Sequence, residues 1–307
     1  MRLAFFGTPE FAVPSLRALL GEGFDVAAVI TRPDRPRGRS RSVRIPPPVK
    51  LVADQEGLPV LQPEQPRGPE FEEALRQLAP DLGVVVAYGH LLRPEILAIP
   101  RLGMVNLHAS LLPRWRGAAP IPWTILAGDE VTGVSVMQMD AGLDTGPVLH
   151  RIETEIPGDE TAGELSVRLA ELGAAALVEA LMLLAAGKAR PEPQDEARAT
   201  YAPKITRQTS RLDWTRDAAS LARAIRAFDP EPGAWALLDG TEIKFFGGRA
   251  INGAGPPGTV LAAEPLLRIG TGLGALEVQE VQPAGRKRMT AAAWARGRGV
   301  AVGQRFT

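Results

Sequence analysis

Short apolar runs alternate with amphipathic stretches along the first half of the chain. Five of these runs are rich in Val, Ile or Phe and bounded by Gly, Pro or Asp, which is typical of strands. The predicted strands are Arg2–Phe6, Phe24–Ile30, Leu82–Tyr88, Met104–His108 and Val134–Met139. The predicted helices between them are Glu10–Leu20, Pro48–Glu56, Glu70–Leu78 and Ile121–Ala127. This alternation predicts βαβ units and therefore an α/β domain with a mainly parallel sheet that is covered on both faces.

The middle of the chain predicts a long helix that closes the first domain. Thr161 and Glu164 have the spacing of a capping box, and the apolar period that follows them continues to Gly187. Residues 188–206 then combine prolines with mixed charges and no periodicity, which is typical of a linker. We therefore expect a first domain at residues 1–187, a linker at 188–206 and a second domain at 207–307.

The second domain has a different pattern. One helical stretch, Asp217–Phe228, is followed by brief strand-like runs separated by Gly and Pro. These runs are Ala234–Leu238, Glu242–Phe246, Gly258–Leu261, Leu266–Ile269 and Leu276–Val281. The pattern predicts a small barrel-like β domain.

Composition excludes several classes of protein. Of the 307 residues, 45% are hydrophobic and 23% are charged, as in an ordinary globular protein. No apolar run is long enough for a membrane helix, and Met1–Gly7 is too short for a signal peptide, so we expect a cytoplasmic protein without a membrane partner. The chain has no Cys and only three scattered His residues, so neither disulfides nor a metal site is expected.

The net charge of zero conceals two basic segments. Residues 31–50 contain seven basic residues and one acidic residue, and residues 285–307 contain six basic residues and no acidic residue. Each segment therefore carries a charge of +6, and the rest of the chain is acidic. Concentrated positive charge of this kind favours a polyanionic partner, although a single Arg-rich run is equally well explained as a solvated surface.

The sequence places an amide, an imidazole and a carboxylate in neighbouring loops. Asn106 and His108 occupy alternate positions of a predicted strand, so their side chains project to the same side. A second loop, Asp140–Pro147, follows the predicted strand Val134–Met139. If the two strands are parallel, both loops lie at the same edge of the sheet, which is where ligands bind in such folds.

These three groups suit chemistry at a carbonyl. An amide N–H can donate to a developing oxyanion, a His can pass a proton to a leaving nitrogen, and an adjacent carboxylate orients the ring. The chain has no Cys, and Ser110 is not in a G-x-S-x-G turn, so the pattern favours direct attack by an amine or water. From residue types and spacing alone, a structural His beside a tight Gly turn remains the alternative.

Several runs of residues resemble the 10-formyltetrahydrofolate-dependent formyltransferases. The most specific are N-L-H-A-S-L-L-P at Asn106–Pro113, the following Arg114–Ile121, and D-A-G-L-D-T-G at Asp140–Gly146. The resemblance extends nearly end to end and includes Phe6–Ala12, Pro33–Pro36, Val85–Gly89, Met137–Asp140 and Gln282–Gly285. It implies a Rossmann-like N-terminal domain, a small OB-like β-barrel at the C-terminus, and transfer of a formyl group from 10-formyltetrahydrofolate without a metal.

The resemblance also implies roles for individual residues. Asn106, His108 and Asp144 correspond to the catalytic residues of the family. Asn106 would stabilise the tetrahedral oxyanion, and His108, held by Asp144, would handle the proton that must reach N10 as tetrahydrofolate leaves. The implied folate-binding residues are Ser110, Leu111, Leu112, Pro113, Tyr88 and Asp140.

Within this family, the chain is most similar to the branch that formylates the α-amine of methionyl initiator tRNA for translation initiation. Residues 31–50 correspond to an insertion that reaches the acceptor end of the tRNA, and we expect Arg37, Arg39 and Arg41 to contact it. A monomer is expected. The alternatives are a sugar-nucleotide formyltransferase or a formyltetrahydrofolate hydrolase with the same folate site, or a non-catalytic RNA-binding module.

Overall fold

The computed structural model describes residues 1–37 and 43–307. Within these residues, the chain divides into two compact units. The first unit contains Met1–Pro120, Val131–Glu155 and Ser166–Ala202, and the second contains Ile121–Glu130, Ile156–Leu165 and Pro203–Thr307. The division does not follow the chain linearly, because the short segments Ile121–Glu130 and Ile156–Leu165 cluster with the C-terminal third.

A twisted sheet forms the centre of the first unit. The strands of the first unit are β1 (Arg2–Gly7), β2 (Asp25–Ile30), β3 (Arg35–Arg37), β4 (Val43–Ile45), β5 (Val60–Leu61), β6 (Leu82–Val86), β7 (Met104–His108), β8 (Val131–Gln138) and β9 (Val148–Glu155). Strands β3 and β4 form a separate antiparallel pair. Among the described residues, seven of these strands form one sheet in the order β5-β2-β1-β6-β7-β8-β9.

Most of this sheet is parallel. Strands β5, β2, β1, β6 and β7 run in the same direction. β6 is buried along its whole length, which a strand covered on both faces requires. The predicted α/β class with a mainly parallel, Rossmann-like sheet is therefore confirmed.

Strand β8 differs from the prediction. Its register pairs Gln138 with Val105 and Ser135 with His108, so β8 runs antiparallel to β7. Consequently the loop after β8 leaves the sheet near the start of β7, not beside its end. The expectation that parallel strands bring the two candidate loops to one edge is therefore wrong, and the loops meet by a different route.

Helices lie between and after these strands along the chain, and local sequence signals explain where several of them begin. They are α1 (Val13–Gly21), α2 (Pro48–Gln55), α3 (Pro69–Gln77), α4 (Pro94–Leu97), α5 (Pro120–Ala127) and α6 (Ala162–Ala185). From Ile121 onward α5 belongs to the second unit, as does the start of α6 up to Leu165. The helices α1 to α4 each have Pro in the first turn, where its missing N–H costs nothing. At the start of α6, the Glu164 carboxylate accepts the Thr161 N–H at 2.9 Å and the Glu164 N–H donates to Thr161 Oγ1 at 3.3 Å, which confirms the predicted capping box.

The second unit is built on an antiparallel sheet. Its elements are α7 (Ala218–Ala227), β10 (Ala234–Leu238), β11 (Thr241–Ile251), β12 (Val260–Ala262), β13 (Leu267–Gly270), β14 (Ala275–Pro283), β15 (Met289–Thr290) and α8 (Ala291–Arg296). Over the described residues the strand order is β10-β11-β14-β13-β12, with β15 beside β14. Trp214, Phe245 and Phe306 form an aromatic cluster in which the last two rings are 5.2 Å apart. The predicted small β domain is confirmed.

Candidate active site

The end of β7 carries two of the predicted catalytic residues. Asn106 lies in the centre of the sheet, in register with Val85 on β6 and Met137 on β8, and is half-buried. His108 ends the strand and is only 6% exposed. Because side chains alternate along a strand, the amide of Asn106 and the imidazole of His108 share one face of the sheet.

The loop that follows β7 is fixed by hydrogen bonds to its own backbone and to β8. The Ser135 hydroxyl donates to the Ser110 carbonyl at 2.7 Å and accepts the Leu112 N–H at 3.1 Å. The Ser110 hydroxyl in turn donates to the Arg114 carbonyl at 2.6 Å. Ser110 and Leu112 are both buried, so the loop is held by satisfied polar groups and by apolar packing.

Asp144 reaches His108 although β8 is antiparallel to β7. The loop after β8 begins beside the start of β7, where the Met139 N–H donates to the Met104 carbonyl at 2.8 Å, and then folds back. The Asp144 carboxylate accepts the Gly117 N–H at 2.8 Å and lies 3.7 Å from His108 Nδ1. The structure therefore brings His108 and Asp144 together, as expected, by a backbone path that the sequence did not indicate.

The imidazole of His108 lies between a carbonyl and a carboxylate. Its Nε2 is 2.8 Å from the Trp115 carbonyl oxygen, and because a carbonyl only accepts, Nε2 carries the hydrogen. Its Nδ1 faces Asp144 at a distance longer than a hydrogen bond, so that interaction is electrostatic. This arrangement fixes the orientation of the ring.

A buried arginine and an amide support the Asp144 loop from behind. Arg116 is 0% exposed and donates to both carboxylate oxygens of Glu196, at 2.9 and 2.8 Å. Its Nε also donates to Gln194 Oε1 at 3.0 Å, and Gln194 Nε2 donates to the carbonyls of Asp144 and Gly146 at 2.8 and 2.7 Å. The hydrogen-bonded ion pair raises the pKa of Arg116 and lowers the pKa of Glu196.

Sequence reasoning missed this support because Gln194 and Glu196 lie in the segment predicted as a linker. In the structure, residues of that segment up to Ala202 belong to the first unit. They run along the loop after β7: the Arg116 N–H donates to the Thr200 carbonyl at 2.9 Å, and the Ala202 N–H donates to the Arg116 carbonyl at 2.7 Å. The segment has no period, so its sequence contained no signal for these contacts.

The predicted folate-binding residues differ in how they are placed. The Tyr88 side chain is 1% exposed and packs edge-on against Phe6, and burial raises the pKa of its phenol to about 12. The Tyr88 carbonyl accepts the Thr8 hydroxyl at 2.9 Å, while its neighbours Ala87 and Gly89 are exposed. The turn after β6 therefore presents backbone to solvent, not the tyrosine ring.

The other predicted folate residues lie in the two loops beside His108. Leu111 and Pro113 are half-buried, whereas Ser110 and Leu112, which alternate with them along the chain, are buried. Asp140 is exposed, and its Oδ1 accepts the Gly142 N–H at 2.9 Å and the Thr145 hydroxyl at 2.7 Å. Asp140 thus shapes the turn that leads to Asp144.

The predicted tRNA-binding residues fall at the edge of what the structure describes. Arg37 is the last residue of β3, and Arg39 and Arg41 lie outside the described residues. Beside this strand, a pocket of about 280 Å³ is lined by basic residues together with the acidic Asp34 and Glu64. Its basic lining residues are Arg32, Arg35, Arg44 and His90.

Asp34 and Lys50 link the two ends of the basic segment at residues 31–50. Lys50 Nζ donates to both Asp34 oxygens, at 2.9 and 3.0 Å, and to Gln62 Oε1 at 2.8 Å. Gln62 Nε2 also donates to Asp34 Oδ1 at 2.7 Å. These hydrogen bonds, first from Gln62 and then from Lys50, hold the pKa of the Asp34 carboxyl below its usual value.

Within residues 1–37 and 43–307, the structure holds no group of three or more His, Cys, Asp or Glu side chains that could bind a metal ion. No helix in that part of the chain is both long and apolar enough to cross a membrane.

Known proteins resemble the chain over nearly its whole length. Residues 1–181 match the formyl transferase family, and residues 204–299 match the formyl transferase C-terminal domain. A methionyl-tRNA formyltransferase of Methylococcus capsulatus is 50% identical over 95% of this chain and 95% of its own length. A methionyl-tRNA formyltransferase of Halorhodospira halophila is 51% identical over 99% of this chain and 98% of its own length.

A solved structure shares the fold. It is an N-formyltransferase from Helicobacter canadensis in complex with folinic acid and dTDP-3-aminofucose. The TM-score is 0.68 at 17% identity, over 94% of this chain and 99% of that one. Together with the two full-length relatives, these matches confirm the resemblance found in the sequence. The chain belongs to the formyl transferase family, and it is an enzyme that transfers a formyl group from a folate donor.

Proposed function

We propose that the acceptor of the formyl group is the α-amine of methionyl initiator tRNA, and that the product serves translation initiation. The curated relatives at 50% and 51% identity are methionyl-tRNA formyltransferases, and they cover almost the whole chain. The two segments of charge +6 suit a polyanionic acceptor. We further propose that the enzyme acts as a monomer in the cytoplasm, with a catalytic domain at 1–187, a linker at 188–206 whose residues up to Ala202 pack with the first unit, and a tRNA-binding domain at 207–307.

The approach of Asp144 to His108 beside Asn106 carries the proposed mechanism. The amine nitrogen attacks the formyl carbon, and the formyl oxygen becomes an oxyanion that the Asn106 amide N–H stabilises. The bond between the formyl carbon and N10 then breaks. The amine gives up its proton to Nδ1 of His108, the ring nitrogen that carries no hydrogen and faces Asp144, and Nε2 of the same ring gives its hydrogen to N10. In this step the Nε2–H bond to Trp115 is exchanged for one to N10.

The same loops supply the proposed folate site. The Ser110 hydroxyl is bonded within its own loop, and the Leu112 side chain is buried. We therefore assign the folate contacts of this segment to its backbone and to the side chains of Leu111 and Pro113. Backbone near Tyr88 and near Asp140 completes the proposed site for the pterin ring.

The proposed tRNA contacts lie in the segment at residues 31–50. Arg37, Arg39 and Arg41 are closely spaced in sequence, and guanidinium groups bind phosphates through paired hydrogen bonds. The paired Asp34 and Lys50 support this proposal, since they hold together the two ends of the segment that carries the arginines.

A transfer assay with three acceptors tests the proposed function. Formyl-labelled 10-formyltetrahydrofolate is supplied with methionyl initiator tRNA, with an amino-sugar nucleotide, or with water alone. We expect label on the tRNA at a rate at least about 100-fold above the other two, because a specific site discriminates strongly against an acceptor whose contacts it lacks. Faster labelling of the sugar nucleotide, or release of free formate at the same rate without tRNA, would overturn the assignment.

A further inference from the structure

We propose that Gln194 is a positioning residue for formyl transfer and that Arg116 sets the orientation of its amide. Gln194 does not face the reacting groups. It acts on the backbone of the Asp144 loop, which holds the carboxylate beside His108. The inference rests on the proposed role of Asp144 and adds the residues that keep Asp144 in place.

The hydrogen-bond partners fix which way the Gln194 amide points. An Arg Nε–H group only donates, so the atom 3.0 Å from Arg116 Nε must be the amide oxygen of Gln194. The amide nitrogen then faces the carbonyls of Asp144 and Gly146, at 2.8 and 2.7 Å, and uses both of its hydrogens. A flipped amide would lose all three bonds, so Arg116 holds Gln194 in the orientation that binds the loop.

The Asp144 loop needs such support because its conformation is unfavourable. Asp144 has φ of +54°, in the left-handed region that residues with a Cβ rarely adopt. Gln194 bonds the backbone on both sides of this turn, at residues 144 and 146, and Gly117 bonds the carboxylate. The backbone and the side chain of Asp144 are thus fixed separately, and a strained residue persists only where its surroundings determine it in this way.

The two supports are connected through the loop after β7. Arg116 binds Gln194 through its side chain, and the next residue, Gly117, binds Asp144 through its backbone N–H. Arg116 is fully buried, so its guanidinium is held in one place by packing as well as by Glu196. A small shift of this arrangement would move the Asp144 carboxylate relative to His108, and reaction rates are sensitive to errors of about 1 Å in such geometry.

The variant Gln194→Glu tests the donor function with little change in size. The carboxylate can still accept from Arg116, but it has no N–H to give to the carbonyls of Asp144 and Gly146. We expect kcat to fall by about 10- to 100-fold, as for other partners that orient a catalytic group, while KM for the folate changes by less than about threefold. A matched control is Glu192→Gln, in the same segment and also a one-atom exchange, where the side chain pairs with Arg151 and is exposed. Its kcat should stay within about twofold of the unsubstituted enzyme.

A double-mutant cycle with Asp144→Asn separates positioning from a general structural role. If Gln194 acts through Asp144, the kcat of the double variant should be less than about twofold below the kcat of D144N alone. In a proton NMR spectrum at fixed pH, the ring signals of His108 should move in Q194E while those of His90 and His150 do not. Full additivity of the two substitutions, or Q194E with unchanged kcat, would overturn the inference.

The cycle also remains informative if the fold or the acceptor is affected. Thermal unfolding of Q194E shows whether it is folded, and if it is not, Gln194→Met removes the donors without adding charge and replaces it in the cycle. The rates are followed as tetrahydrofolate release with whichever acceptor the unsubstituted enzyme uses. A wrong acceptor therefore shows in the unsubstituted enzyme, whereas a wrong positioning role shows only in the variants.

Discussion

Two polar networks in the first unit each combine an Asp, a Gln and a basic residue, but they differ in burial. At the Asp144 network, Arg116 is 0% exposed, donates to both carboxylate oxygens of Glu196 and, through Nε, donates to Gln194. At the Asp34 network, the side chains of Lys50 and Asp34 are 21% and 23% exposed. A buried Arg with bidentate bonds determines positions of atoms, whereas a partly exposed Lys mainly balances charge.

The networks also differ in the distance along the chain that they connect. The bond between Arg116 and Gln194 joins residues 78 positions apart, while that between Lys50 and Asp34 joins residues 16 apart. The first network therefore depends on the tertiary fold and places a carboxylate beside the imidazole of His108. The second joins the two ends of the segment at residues 31–50, for which we propose tRNA contacts, so we expect it to affect acceptor binding more than chemistry.

The largest effect should follow from removing the reacting groups themselves. We expect His108→Ala and Asn106→Ala each to lower kcat by about 100- to 1000-fold, because each removes a proton carrier or an oxyanion donor. Thermal unfolding should change little in Asn106→Ala, whereas His108→Ala also removes the buried hydrogen bond to the Trp115 carbonyl and should lower the midpoint of unfolding by a few degrees. The measurement is single-turnover formyl transfer on the purified variants, and near-normal rates in both would remove the catalytic assignments.

The next largest effect is expected at Gly117, whose backbone N–H donates to the Asp144 carboxylate. Gly117 has φ of +115°, and a Cβ added there would lie 2.9 Å from the Ala202 carbonyl oxygen. Gly117→Ala should therefore lower the free energy of unfolding by about 1–3 kcal/mol and, by moving the N–H from Asp144, lower kcat by about 10-fold. Urea unfolding and steady-state kinetics measure the two changes.

The matched control for that substitution is Gly103→Ala. Gly103 also has positive φ, +73°, but an added Cβ would meet nothing within 4 Å. It should show a loss of stability of about 1 kcal/mol from backbone strain alone, with kcat unchanged. Equal losses of kcat in both variants would show that strain, not the contact with Asp144, is responsible.

The sequence predicted the parts of the fold that depend on local pattern. The strand Met104–His108 has the predicted bounds, and the capping box at Thr161 opens α6 as expected. Both follow from side-chain spacing within a few residues, which a single sequence contains. The direction of a strand does not follow from such spacing. The apolar pattern of β8 is compatible with either direction, so its antiparallel pairing with β7 was not predictable.

The candidate site was predictable only as far as its motifs reach. Asn106, His108 and Asp144 stand in runs that resemble a family, and the structure brings the last two together. Gln194 lies in an irregular segment, and the sequence around its partner Arg116 does not indicate that this side chain is buried. Contacts between such residues arise from the tertiary fold, so local sequence patterns do not predict them.

The third effect concerns the basic segment and should leave chemistry intact. We expect the double variant Arg39→Ala with Arg41→Ala to raise KM for tRNA about 10-fold, because phosphate contacts are lost. The slope of the logarithm of this KM against the logarithm of the salt concentration should fall by roughly one unit per arginine. KM for the folate should not change. The control is Arg76→Ala with Arg101→Ala, an equal change of charge at two exposed ion pairs. KM values for tRNA and folate that rise together would contradict the prediction.

The smallest effect should come from the Asp34 network and should depend on pH. Hydrogen bonds from Gln62 and Lys50 hold the pKa of the Asp34 carboxyl below its usual value of 3.8. A carboxyl with a pKa lower in the folded than in the unfolded protein stabilises the fold above the unfolded value, and this contribution is lost as the pH falls through the folded value. We therefore expect Asp34→Asn to lower the free energy of unfolding by less than about 1 kcal/mol at about pH 6, since the pair is partly exposed.

The same reasoning predicts that the difference in the free energy of unfolding between Asp34→Asn and the unsubstituted enzyme narrows in acid. Urea unfolding of the two proteins at about pH 6 and about pH 3 measures it, because below pH 3.8 the carboxyl of the unfolded protein becomes protonated and the stabilisation from the lowered pKa of Asp34 begins to be lost. An equal difference in the free energy of unfolding at both pH values would show that the amide introduced by Asp34→Asn disturbs packing instead. A difference that narrows, with kcat unchanged, would show that this network balances charge, in contrast to the positional role of Arg116 and Gln194.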